Sequence, residues 1–133
     1  MGENKINHTH PLFVHPSDTL SSVLIPVQLK ESENYGLWWR SMKIALQAKR
    51  KLGFVDGKHT QALFPAALHE NWKTCNTIVL SWIMNTVSPD LLSGIMYASN
   101  AQAVWEDLRE RLDKVNRRRI YQLHREIATI SRY

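Results

Sequence analysis

Leu68, Trp72, Cys75, Val79 and Trp82 recur at alternating steps of four and three, with Ile83 beside the last. That spacing gathers all six side chains on one face of an α-helix, whereas a strand would send neighbours to opposite faces. With Glu70 in the first turn, the predicted helix runs from Ala66 to Thr86. A second stretch has the same period. Tyr35, Trp38, Met42, Ala45 and Leu46 fall on one face of a helix that opens at Asn34. It stops at "KLGFVDG", where Gly53 and Gly57 can supply the positive φ of a cap and a turn.

Further start signals follow. In "SPDLL", Ser88 reads as an N-cap, Pro89 as the first helical residue and Asp90 as a first-turn acid, predicting a short helix that closes near Ser99. Ser99 and Gln102 have capping-box spacing for a fourth helix whose stripe is Val104, Leu108, Leu112 and Val115. Asn116 marks a break. Beyond it Ile120, Leu123, Ile127 and Ile130 form a narrow apolar seam suited to pairing with another helix. Residues 1–22 are rich in turn formers and read as a flexible arm. "VLIPVQL", 23–29, permits an edge strand or hairpin arm, because a central strand would not hold Pro26. The fold class is therefore mainly α: about five helices with a short N-terminal extended arm or β-hairpin. The large apolar residues Tyr35, Trp38, Met42, Trp72, Trp82, Trp105 and Leu108 are the expected packing anchors.

At 133 residues the chain can bury an ordinary core as one domain. Cys75 is the single cysteine, which excludes an internal disulfide and any multi-cysteine zinc site. On the apolar face between Trp72 and Val79 it reads as a small core residue, not a reactive thiol. No Gly-flanked serine, phosphate-cradling glycine loop or membrane-length apolar run is present. No catalytic site or cofactor is expected. His8, His10 and His15 could share a metal along an extended chain, yet the segment offers no fixed fourth ligand, so no metal site is assigned.

The net charge of +5 is unevenly spread. Residues 35–58 carry six basic groups against Asp56 alone. Arg40, Lys43, Gln47 and Arg50 lie three or four apart and would form a basic stripe opposite Trp38 and Met42; Arg117, Arg118 and Arg119 make a second cluster. Both clusters fit an ordinary solvated helix surface, and both are candidate phosphate contacts. Trp39, at the edge of the stripe, either stacks on a partner or laps over the helix flank.

Seven stretches, "PLFVHPSD", "VLIPVQL", "ENYGLWWRSMKIAL", "KLGFVDG", "NTIVLSWIMNTVSPDLLSGI", "AQAVWEDLRERL" and "RRIYQLHREIATI", together resemble the N-terminal Gag region of plant Copia-type LTR retrotransposons. The resemblance runs from about Pro11 to Ile130. It implies a capsid-like helical core preceded by an arm and hairpin, with homotypic self-association into a particle shell around element RNA. The chain departs from the family at Trp39, usually a small or polar position, and at Glu31, near which a glycine is usual. The family continues past "EIATI" into further helices and a zinc knuckle, so residues 23–133 read as a Gag-like domain truncated at its C-terminal end. The expectations are a non-enzymatic protein of the cytoplasm or nucleus whose partners are further copies of itself and, weakly and without sequence preference, RNA. No membrane and no small-molecule substrate are expected. The alternatives are a nucleic-acid-binding module using the basic helix faces and an inert retrotransposon remnant.

Overall fold

In the computed structural model, which describes residues 6–93, 98–113 and 122–125, the tryptophan-bearing helical faces meet in one hydrophobic core. The protein is mainly α-helical. The first helix, α1 (Tyr35–Ala48), follows a 3-10 turn at Ser32–Asn34. Asn34 fixes that entry: its side-chain amide donates to the Gln28 carbonyl at 2.7 Å, and its oxygen accepts from the Lys30 and Glu31 amides. Trp38, Met42 and Leu46 point into the core while Leu37, Arg40 and Ile44 face solvent.

The end of α1 differs from expectation. The Lys51 amide reaches back to the Leu46 carbonyl at 2.8 Å, a closing bond that requires a left-handed residue just before it. Arg50 takes that place with φ of 60°, a conformation that costs a non-glycine residue about 1–2 kcal/mol. Gly53 is not the cap. It opens the short helix α2 (Gly53–Asp56), and a Cβ there would lie 1.9 Å from Cδ2 of His59, so close packing explains the glycine. Gly57 does take a positive φ, 86°.

The predicted helix at Ala66–Thr86 is shorter as an α-helix. A 3-10 turn at Ala66–Leu68 leads into α3 (His69–Met84), and Thr86 belongs to the turn that follows. Next comes α4 (Pro89–Leu92), with Pro89 in its first turn. Ser88 does not cap it with its side chain; the hydroxyl is buried without a hydrogen-bond partner, and the Ser88 amide donates to the Leu29 carbonyl at 2.8 Å. The Leu29 amide in turn donates to Thr86, making a lone parallel bridge between Leu29 and Val87. This replaces the expected hairpin: among the described residues "VLIPVQL" pairs at Leu29 alone, and Pro26 has no amide proton to extend a ladder.

The fourth predicted helix starts one residue late. Asn100, not Ser99, is the N-cap of α5 (Ala101–Leu108), accepting from the Gln102 and Ala103 amides. Ser99 is taken up elsewhere, its carbonyl bonded by Asn76, whose other side-chain atom accepts the Ala101 amide at 3.0 Å. Asn76 thus ties α3 to the start of α5. After Leu108 the helix widens into a π-turn, Arg109–Asp113, well before Asn116. Leu112 is consequently only partly buried against the core, and Val115 and the expected break at Asn116 lie outside the described residues. The helix α4 ends at Leu92, short of the expected close near Ser99, and 94–97 also lie outside the described residues.

The segment read as a flexible arm lies on the helices. Residues 6–22 form a succession of turns in which Leu12 is 2% exposed and Asp18 is buried. Side chains distant in sequence hold it in place. Cys75 Sγ donates to the Leu12 carbonyl, Lys51 Nζ to Phe13 at 2.6 Å, Trp82 Nε1 to Thr19 at 2.9 Å, and the Asn85 amide to Leu20 and Ser22. Lys49 pairs with Asp18 at 2.7 Å.

Candidate functional site

The anchor residues occupy one place. Tyr35, Trp38, Met42, Trp72, Trp82, Trp105 and Leu108 all belong to the same buried cluster. Trp38 is in contact with Trp105, with ring centroids 5.5 Å apart, and with Tyr35 at 6.1 Å. Three indole N–H groups find acceptors: Trp38 on Thr86 Oγ1 (2.9 Å), Trp72 on the His59 carbonyl (2.8 Å) and Trp82 on Thr19. Each of these three tryptophans therefore packs the core with its ring and ties a non-helical segment with its nitrogen.

Outside the core, the basic stripe is only partly realised. Arg40 and Lys43 lie exposed on α1. The helix ends at Ala48, however, so Arg50 leaves the stripe and sits in the left-handed turn. Trp39 laps over the helix flank, 6.4 Å from Trp105, and the Lys43 ammonium lies 4.9 Å over its ring. The cation already engages the indole that was a candidate for stacking. Arg117, Arg118 and Arg119 lie outside the described residues, as do Ile120, Ile127 and Ile130 of the seam. Leu123 is described, in a helical turn at 122–125, and is 51% exposed.

Two concavities flank α1. One, of about 510 Å³, lies between α1 and α5 and is bordered by Tyr35, Trp39, Lys43, Trp105, Glu106 and Arg109. The Tyr35 hydroxyl is buried there without a hydrogen-bond partner, and burial, with Asp113 and Glu106 nearby, drives its pKa well above the ordinary phenol value. The other, about 280 Å³, joins the end of α1 to the N-terminal turns and gathers Lys49, Arg50 and Lys51 beside His8, His10 and His15. Helical spacing in the sequence selects Arg50 alone of these three consecutive cations; the run "KRK" just before "LG" is the signal that groups them.

The chemistry of nucleophilic catalysis has few candidates. Cys75 is buried, donates to a carbonyl and has its thiol pKa pushed up by desolvation, which opposes thiolate formation. His69 is bonded to the Phe64 carbonyl at 2.9 Å. Among the described residues no group of three His, Cys, Asp or Glu side chains could hold a metal ion, although His8, His10 and His15 border one pocket. None of the described helices is long and apolar enough to cross a membrane.

Residues 15–61 match the family described as Gag-polypeptide of LTR copia-type. The match spans the latter part of the N-terminal turns, all of α1 and α2, and the start of the loop after them. No curated protein and no solved structure shows significant similarity to the chain.

Proposed function

We propose, from the match of residues 15–61 to the copia-type Gag family, that the chain is a non-enzymatic Gag-like assembly module, acting in the cytoplasm or nucleus. It self-associates towards a particle shell around element RNA. The family match carries this reading. It is supported by the use of every anchor aromatic in the core, by the buried and unreactive Cys75, and by the large aliphatic residues Leu37, Ile44 and Leu123 left exposed. Aliphatic side chains that stay wet in one copy gain from burial against another. The self-association seam in this proposal is Ile120, Leu123, Ile127 and Ile130. Native mass measurement across a concentration series tests it: oligomers should grow at the expense of monomer, and a monomer at every concentration would overturn it.

A second reading has its own observation, the exposed Arg40 and Lys43 on α1. As a weak nucleic-acid-binding surface, these residues with Arg50 and the cluster Arg117, Arg118 and Arg119 would contact phosphates without reading bases. Affinity for a single-stranded RNA should then fall steeply with salt. Reversing the charges of Arg40, Lys43 and Arg50 should flatten the salt slope by up to about three contacts. Affinity that follows RNA sequence and persists in high salt would contradict this reading.

A further inference from the structure

We propose that the concavity between the end of α1 and the N-terminal turns is a phosphate-binding pocket built around Arg50, Lys49, His10 and His15. It requires neither self-association nor the exposed face of α1. Consecutive residues of a continuing helix would fan out by about 100° each and could not share one small cavity. Here the left-handed turn at Arg50, φ 60°, folds the chain so that residues 49–51 border a single concavity of about 280 Å³. A glycine would serve that turn without strain. The chain instead carries a guanidinium there, and among the described residues no carboxylate pairs with it. Among the described residues Asp18 is the one acid bordering the pocket, and it is engaged by Lys49 and by the His15 amide. The Lys51 ammonium is held on the Phe13 carbonyl, which keeps a second cation at the cavity wall.

The imidazoles add donors. The Leu12 amide donates to His10 Nδ1 at 3.0 Å and the Ser17 amide to His15 Nδ1 at 3.1 Å. Those bonds make Nδ1 the acceptor, so each neutral ring carries its proton on Nε2 and remains a donor. The pocket thus offers N–H donors on a surplus of positive charge, with its one carboxylate already neutralised. That combination recognises a compact oxyanion with several acceptor oxygens, and Arg50 suits bidentate contact with a phosphate group. At about 280 Å³ the cavity falls just below the ~300–1,000 Å³ of pockets for whole drug-sized molecules, which fits one group of a larger ligand or a small inorganic phosphate.

The test uses the full chain at low ionic strength, titrated in parallel with inorganic pyrophosphate and with a short single-stranded RNA, and followed by amide chemical shifts and calorimetry. Arg50→Gly is the informative variant, since glycine relieves the left-handed turn while removing the guanidinium. Its melting temperature should match or exceed that of the wild type, and its affinity for whichever probe binds should drop by about tenfold or more. Lys73→Gln, an exposed position on α3 that does not border the pocket, should leave that affinity unchanged within about twofold. Binding of pyrophosphate assigns the pocket to small phosphates, and binding of RNA alone assigns it to a nucleic-acid backbone; either supports the proposal when shifts centre on residues 10–17 and 49–51. Equal losses in the two variants, no loss in Arg50→Gly, or no binding of either probe would overturn it.

Discussion

Two residues carry consequences out of proportion to their size. Thr86 Oγ1 accepts the Trp38 indole proton inside the core and donates its own to the Ile83 carbonyl. Thr86→Val keeps the shape but strands a buried N–H, so it should destabilise the protein by about 1–3 kcal/mol in urea unfolding. An unchanged midpoint would mean that the indole finds another acceptor. His59 is the second. Its ring packs against Gly53 and Phe54, and desolvation pushes its pKa below the ordinary imidazole value, opposed by the nearby Asp56 carboxylate. The unfolded chain therefore takes up this proton first. The contribution to stability is fully present above pH 6.5 and is lost as pH falls from there towards the lower folded value. Thermal stability measured from pH 8 to 5 should decline more steeply in the wild type than in His59→Gln; parallel profiles would remove His59 as the cause. The aromatic anchors were legible at this scale because large apolar side chains at helical spacing have few alternatives to burial. The partners of Thr86, Asn76 and Lys51 were not, since each bond joins residues that only the folded chain brings together.

Among the elements, α1 and α3 followed from periodicity, and the discrepancies cluster at their ends. Caps depend on single hydrogen bonds, so Asn100 displaces Ser99, which satisfies the same local rule, and Arg50 takes the left-handed turn in place of Gly53 against the local preference for glycine. The N-terminal turns are the larger surprise. Their composition resembles a linker, and what fixes them is a set of donors on the turn after α1 and on α3. The Lys49 to Asp18 pair is the most exposed to test, because the Asp18 side chain is nearly inaccessible while that of Lys49 is about one-third accessible. Lys49→Ala leaves a buried carboxylate with only the His15 amide, and should cost on the order of 1–3 kcal/mol. Hydrogen exchange should rise across residues 10–22 ahead of α3. Loss of protection spread evenly over the molecule would contradict a segment held locally.

In the whole molecule, the aromatic anchors are used inside the core, while Leu37, Ile44 and Leu123 are left on the surface. Trp82 is central to that core, and Trp82→Ala should cost on the order of 3–5 kcal/mol, enough to unfold a marginal domain; a near-wild-type melting curve would refute the placement. The copia-type Gag resemblance was readable from aromatic anchors in order, and the family match falls on residues 15–61, which hold Tyr35 and Trp38 of those anchors. The basic stripe was readable only in part, since the early end of α1 removes Arg50 from it. Leu123 is half exposed, and each large aliphatic side chain of the seam left in water forgoes about 1.5–3 kcal/mol. A two-fold pairing of the seam would use the same patch on both copies. Sedimentation velocity of the wild type and Ile127→Lys at matched concentrations tests this most directly. The wild-type coefficient should rise with concentration while the variant stays folded and monomeric; a wild type that remains monomeric throughout, or a variant that associates equally well, would contradict assembly through the seam.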